Sequence, residues 1–266
     1  MEEFRLEHRG RIFMVIDLSG KIALITGASG QLGRVIATTL AQCGADIAIH
    51  YGGNAQNAKK VLGDVNYIGR RAITVQADIT SPDSIMAMKE KVLAELGAPD
   101  IIVNNAVIQY NWKSVLDQSL EDYESQFESC VMQNVLMAKA FVPDMIKKKS
   151  GRVIAINTEC AMQNFVTQSA YVAGKRGMDG VLRVLAREIG EHNITVNQVA
   201  PGWTISENDR INGTEKKADY DKTVPLKRRG TDQEVANVVA FLASDLASNI
   251  TGVYLPVCGG NVMPCI

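Results

Sequence analysis

The 266-residue chain carries 28 basic and 29 acidic residues, a formal net charge of -1, with 46% apolar and 21% charged residues. This is the composition of a globular protein able to bury a large core, and its balance of charge offers no footprint for nucleic acid or an anionic membrane. The five cysteines (Cys43, Cys130, Cys160, Cys258 and Cys265) are odd in number and form no CxxC pair, and His8, His50 and His192 lack ligand spacing. A disulfide framework and a metal centre are therefore not expected, and a reducing cytoplasm fits best.

Residues 1–16 read as an N-terminal extension. They mix charges with one short apolar run, residues 12–16, which is too short for a membrane span and lacks a signal-peptide layout. Residues 17–266 read as one domain. Short β-rich runs recur at 22–25, 47–49, 72–75, 101–103, 153–156, 195–199 and 253–257. Helical stretches are expected between them at 31–43, 54–62, 83–96, 119–149, 169–190 and 232–244. Such alternation predicts an α/β fold, a doubly wound, parallel, seven-stranded sheet of Rossmann type with helices on both faces. Ser81-Pro82 and Thr231-Asp232 have the form of helix starts, and Gly44, Gly97 and Gly190 that of helix stops. The polar stretch from Ser206 to Lys222 breaks the pattern, as a mobile lid over a site or as a plain surface excursion.

Two features carry chemistry. Thr26-Gly27-Ala28-Ser29-Gly30-Gln31-Leu32-Gly33 follows the first strand and opens the first helix, where glycines permit a tight turn and close approach of a pyrophosphate to the helix N-terminus. Dinucleotide binding is the expectation from that placement. Tyr171 and Lys175 stand four apart at the front of a helical stretch, with Thr158 upstream at the end of an apolar run. Residues four apart share a helix face, so an ammonium lies beside a phenol and favours its ionised form. The pair is expected to transfer protons.

Together with Asp78, Asn104-Asn105-Ala106, Asn134, Pro201-Gly202, Ile250-Thr251-Gly252 and Gly259-Gly260, these features resemble the short-chain dehydrogenases/reductases from residue 18 to about 263, with the 3-oxoacyl-carrier-protein-reductase-like branch the most similar. The resemblance implies that Tyr171 exchanges a proton with a carbonyl oxygen. Lys175 would lower the Tyr171 pKa and hold the nicotinamide ribose, Thr158 would hydrogen-bond the reacting oxygen, and Asn134 would anchor a water leading from Lys175. It places cofactor contacts at Gly27, Ser29, Gly30, Gln31, Leu32, Tyr51, Gly52, Asp78, Ile79, Asn105, Ala106, Tyr171, Lys175, Pro201, Gly202 and Thr204. A homotetramer is expected on the same ground.

Four positions depart from the family pattern: Gln31 in the turn, Thr158 for the usual serine, Val107 for a glycine after Ala106, and Cys258 before Gly259. Tyr51 stands where NAD-preferring members carry an acid that repels a 2'-phosphate, so NADP(H) is favoured and NAD(H) remains open. Trp112, Glu159, Gln163 and Trp203 are the candidate substrate contacts. Trp112 and Trp203 offer stacking faces and Glu159 an acceptor for a polyol, so the expected small-molecule substrate is a polar or sugar-like carbonyl or alcohol, with a 3-oxoacyl thioester second. The alternatives are a non-catalytic dinucleotide-binding or assembly protein, and an epimerase or dehydratase using the same residues.

Overall fold

Period-two alternation along the strands divides the core in two. Ala23, Ile25, Ile47, Ile49, Ile101, Val103, Ile154 and Ile156 belong to one buried cluster, while Leu24, Ala48, Ile102, Val153 and Ala155 belong to another. Successive side chains of a strand point to opposite faces, so both faces of the sheet must be covered. In a computed structural model, which describes residues 15–264, seven parallel strands run in the order β3-β2-β1-β4-β5-β6-β7. They are β1 Ile22–Ile25, β2 Asp46–Tyr51, β3 Ala72–Gln76, β4 Ile101–Asn104, β5 Gly151–Ile156, β6 Ile194–Pro201 and β7 Tyr254–Val257. Most of the proposed N-terminal extension, and Cys265, lie outside the described residues.

Helices α1 (Gln31–Gln42), α2 (Ala55–Tyr67) and α10 (Asp232–Ala243) cover one face, and α3 (Pro82–Glu95), α5 (Gln133–Lys148) and α7 (Ser169–Ile189) the other. The strand order reverses between β1 and β4, which opens a crevice beyond their carboxyl ends, where ligands of such sheets bind. Local chemistry sets several boundaries. The Ser81 hydroxyl accepts the Ser84 N–H and Pro82 occupies the first turn of α3, and Thr231 and Glu234 form a reciprocal capping box on α10. Gly44 and Gly97 end their helices at φ +104° and +110°. Gly190 caps the α-helix that ends at Ile189, in the right-handed region at φ -60°; a 3-10 turn, Gly190–His192, follows, and Asn193 ends the run in the left-handed region at φ 60°.

The stretch expected as one helix over 119–149 is three pieces. α4 (Leu120–Gln126) runs into a π-helical turn, Phe127–Met132, before α5 begins. Gly174 of α7 packs there, since a Cβ on it would lie 2.7 Å from the Gln126 carbonyl oxygen. The helix carrying Tyr171 and Lys175 thus approaches the α4 backbone as closely as a glycine allows. Three short helices were not expected: α6 (Cys160–Gln163), α8 (Glu207–Asn212) and α9 (Ala218–Thr223).

Candidate active site

The glycine turn is held from three directions. Thr26 Oγ1 accepts the N–H groups of Asn105 (2.9 Å) and Ala106 (3.0 Å) and donates to Gln133 Oε1 (2.8 Å), while Gln133 Nε2 donates to the Ala106 carbonyl (2.9 Å). Asn105 Nδ2 reaches back to the Thr26 carbonyl (2.9 Å). On the opposite side the Gly27 N–H is donated to His50 Nδ1 (2.9 Å), and His50 Nε2 lies 3.0 Å from the Ala77 carbonyl. Burial pushes the His50 pKa below its ordinary value, with Ala77 and Asp78 acting the other way. The imidazole is therefore neutral, accepting through Nδ1 and donating through Nε2. The glycines are required by space: Gly27 sits at φ +65°, and a Cβ on Gly33 would lie 2.3 Å from the Gly27 carbonyl. Gln31 spans the cleft, its Nε2 donating to the Ile205 carbonyl (3.3 Å).

The turn opens onto a cavity of about 1560 Å³ that also contains the catalytic candidates. Sites for drug-sized ligands run to ~1,000 Å³, so this cleft has room for a dinucleotide together with a substrate. Gly27, Ser29, Gly30, Gln31, Leu32, Gly52, Asp78, Ile79, Asn105, Ala106, Pro201, Gly202 and Thr204 all line it. Asp78 is fixed by Thr80, whose N–H and hydroxyl both donate to Oδ1 and hold the carboxyl below its ordinary pKa. Tyr51 packs, partly buried, against the core cluster of α1 and α2, and its neighbours His50 and Gly52 line the cavity.

Thr158 follows β5, with its backbone N–H on Asn157 Oδ1 (2.9 Å) and its carbonyl accepting the Tyr254 hydroxyl (2.5 Å). Tyr171 and Lys175 lie on the first turns of α7. The Tyr110 hydroxyl accepts the Tyr171 N–H (2.8 Å), filling the place of a cap that Gln168 does not supply. Lys175 is buried, donates to the Ile156 carbonyl (2.5 Å), and holds its Nζ 5.7 Å from the Tyr171 ring centroid. The adjacency agrees with the spacing, but the direction of the pKa does not. Burial, reinforced by the Cys160 and Cys130 thiols, pushes the Tyr171 phenol well above its ordinary value, against a smaller lowering by Thr158. Burial likewise lowers Lys175. Tyr171 is accordingly protonated at neutral pH, the state a proton donor requires.

Asn134 stands outside the cavity, immediately after the π turn. Its Oδ1 accepts from Asn104 Nδ2 (2.7 Å) and its Nδ2 donates to the Cys130 carbonyl (2.7 Å), which ties the end of β4 to the irregular helix. π turns of this kind are frequent at functional sites.

On the substrate side, Trp112 lines the cavity half-exposed, its ring stacked toward Tyr171 at 6.4 Å and 24°. Val107, Ile108 and Phe165 add apolar wall. Trp203 lines the opposite wall, edge-on to Tyr220 at 5.6 Å and under the Arg229 guanidinium at 4.7 Å. Gln163 and Glu159 are placed differently. Gln163 does not line the cavity, since its Nε2 is donated to the Asn261 carbonyl (3.0 Å). Glu159 lines the cavity, yet it is 2% exposed and its two oxygens accept from Tyr220 (2.7 Å) and Asn261 (3.1 Å). Cys258 is a small buried residue whose Sγ accepts the Val262 N–H.

The segment over 203–223 is anchored. The buried Arg229 donates to the carbonyls of Trp203, Thr204, Thr214 and Glu215 and to Asp209, and Arg210 pairs with Asp232 at 2.5 Å. The residues that sequence reasoning missed, His50, Gln133, Asn157 and Arg229, mostly act on backbone groups distant in sequence. Among the described residues no group of His, Cys, Asp and Glu is arranged to hold a metal, and no helix is long and apolar enough to cross a membrane.

Residues 27–261 match the family model described as Enoyl-(Acyl carrier protein) reductase. A 3-oxoacyl-[acyl-carrier-protein] reductase, FabG, of Escherichia coli K12 is 38% identical over 248 residues, covering 93% of this chain and 100% of its own length. One from Staphylococcus epidermidis is 34% identical, covering 91% and 99%. Among solved structures, a 7α-hydroxysteroid dehydrogenase complexed with NADH and 7-oxo glycochenodeoxycholic acid superposes with a TM-score of 0.84 at 30% identity, covering 92% of this chain and 95% of its own. The reductase LugOII, which catalyses a keto-reduction in lugdunomycin biosynthesis, gives 0.86 at 28% identity, covering 92% and 99%. The chain belongs to the short-chain dehydrogenase/reductase family of NAD(P)-dependent oxidoreductases, in its 3-oxoacyl-carrier-protein-reductase-like branch.

Proposed function

We propose that this chain reduces the ketone of a 3-oxoacyl thioester with NADP(H). The reading is carried by one observation: Thr158, Tyr171 and Lys175 converge on the same cavity as the glycine turn. The nicotinamide cofactor, when bound, supplies the hydride. The cradle for it is made of backbone with no room for a side chain at Gly27 and Gly33, with Ser29, Gly30, Gln31 and Leu32 along the opening of α1. Tyr171 donates its phenolic proton to the carbonyl oxygen, Thr158 hydrogen-bonds that oxygen, and Lys175 holds the ribose hydroxyls. Asn134 fixes the loop after β4 through Asn104.

The carbonyl class follows from the walls. With both Glu159 oxygens already accepting hydrogen bonds, a sugar-like substrate would rely on the stacking faces of Trp112 and Trp203. The apolar surface of Val107, Ile108, Phe165, Trp112 and Trp203 suits an acyl chain, in agreement with the activity named for the two FabG relatives. The preference for NADP(H) rests on the lack of an acid at the end of β2, where Tyr51 turns inward and Gly52 and Gly53 follow. Arg34 is already paired with Glu207 at 2.9 Å, so a modest preference is expected. A cytoplasmic homotetramer completes the proposal. It is supported by the free cysteines and by Phe127 and Val184, exposed large apolar residues on the π turn and on α7.

The test is oxidation of NADPH and NADH against 3-oxoacyl thioesters, diketones, cyclic ketones and sugar-like carbonyls, beside Tyr171→Phe. Thioester turnover with NADPH that disappears in Tyr171→Phe supports the reading. Cofactor binding without consumption of either coenzyme overturns it in favour of a binding or non-redox role.

A further inference from the structure

Glu159 is out of place for a bystander: a carboxylate, 2% exposed, one residue after Thr158. Both of its oxygens are used, and by two different segments. Tyr220 of α9 donates to Oε1 at 2.7 Å and Asn261 beyond β7 donates Nδ2 to Oε2 at 3.1 Å, while the Glu159 N–H goes to the Pro201 carbonyl at the end of β6. The Tyr220 hydroxyl simultaneously accepts the Trp203 N–H at 2.9 Å, and the Tyr220 ring packs edge-on against Trp203. A Cβ on Gly202 would lie 2.6 Å from the Tyr220 hydroxyl, so the glycine makes the contact possible. Burying a carboxylate is costly unless it is fully hydrogen-bonded. Its retention at this junction points to what it holds.

We infer that Glu159 is a positioning residue, a latch whose carboxylate ties α9 and the Asn261 turn to the end of the catalytic strand and so fixes the Trp203 wall of the cleft. Substrate contacts belong to Trp203, and Glu159 acts on them through Tyr220. A hydrogen bond to a charged group strengthens this hold relative to a neutral one. The segment from α8 to α9 is then held at two ends, by Arg229 near Trp203 and Asp209 and by Glu159 at Tyr220.

The inference rests on the reductase reading only for its kinetic readout, so the test has a second arm that needs no turnover. Parent protein, Glu159→Met, Tyr220→Phe, the double variant and the exchanged pair Glu159→Gln/Asn261→Asp are compared by trypsin cleavage after the exposed Lys216 and Lys222. KM and kcat for a 3-oxoacyl thioester are measured alongside. Each single variant is expected to speed cleavage and to raise KM roughly tenfold, the equivalent of one charge-assisted bond, with kcat largely held. The double variant is expected to fall short of the product of the two single effects, because both remove the Tyr220–Glu159 bond. The exchanged pair, which rebuilds an acceptor for Tyr220 and a donor-acceptor match at residue 261, restores both readouts. Unchanged cleavage in the single variants, multiplied effects in the double, or a pair that restores nothing would overturn the latch. If Glu159→Met does not fold, Asn261→Ala removes one of the two bonds and is read in the same way. A parent without turnover whose cleavage still follows the latch pattern would refute the reductase reading and leave the latch standing.

Discussion

His50 is expected to make cofactor binding sensitive to acid. Its neutral ring satisfies two backbone groups, the Gly27 N–H at 2.9 Å and the Ala77 carbonyl at 3.0 Å, at a residue that is 1% exposed. Leaving a buried donor or acceptor unpaired costs ~1–3 kcal/mol, so His50→Leu, which orphans both, should remove about 2–6 kcal/mol, shared between fold stability and the glycine turn. Protonation has a related effect: imidazolium presents an N–H on Nδ1 to the Gly27 N–H, donor against donor. The sign follows from burial, which lowers the folded pKa beneath the unfolded value of about 6.5, against the raising effects of Ala77 and Asp78. The stabilisation is therefore complete above the unfolded pKa and is lost as pH falls through the folded one. Glu159, raised chiefly by burial, changes stability in the opposite sense, since its burial penalty disappears on protonation. A comparison that alters only residue 50 is therefore needed. Urea midpoint and NADPH affinity would be followed from pH 8 to 5 for the parent and for His50→Gln, which retains a donor and an acceptor but does not titrate. The parent should lose both relative to the variant below pH ~6.5; parallel curves for the two proteins would refute the argument.

Tyr171→Phe removes one hydroxyl from the cavity and should lower kcat by ~10²–10⁴, while NADPH affinity by fluorescence titration changes little. Gly33→Ala places a methyl 2.3 Å from the Gly27 carbonyl. Relief of such a clash costs ~1–3 kcal/mol, so a tenfold or greater loss of cofactor affinity is expected in the same titration. Arg229→Met removes the donor shared by Trp203, Thr204, Thr214, Glu215 and Asp209. The protein should melt at lower temperature and be cut faster after Lys216, with the cleavage rate more affected than the melting point if the segment opens locally.

What the sequence made legible was whatever local pattern decides. The seven strands follow from short apolar runs set between helical stretches, and the start of α10 from Thr231-Asp232. The cradle was legible for the same reason: its glycines lie within one turn of chain, and every turn residue named as a contact lines the cavity. The π turn was not, because shifting one hydrogen bond within a continuous helical pattern leaves no mark on periodicity. Nor were α8 and α9, six residues each, too short and too polar to show an apolar face. Their order comes from Arg229, a residue whose burial nothing in its neighbourhood announces.

The Tyr171/Lys175 pair shows where sequence reasoning stops. Four-residue spacing does place the ammonium near the ring, at 5.7 Å. Proximity alone predicts a lowered phenol pKa, yet the phenol is raised, because the same helix packing that brings the two groups together also removes them from water. Gly174 makes that packing possible, by letting α7 approach the Gln126 carbonyl. Desolvation penalises the charged form of both partners and is the leading cause of each shift. The direction suits the proposed chemistry. A carbonyl gaining hydride needs a neutral phenol ready to give up a proton, and Tyr171, half-buried at the cavity wall, remains one across the neutral range. An alkaline loss of reductase activity should accordingly begin above the ordinary tyrosine value of about 10. A pH–rate profile for the reduction that falls well below that value would show that bound cofactor reverses the balance and that Lys175 then dominates.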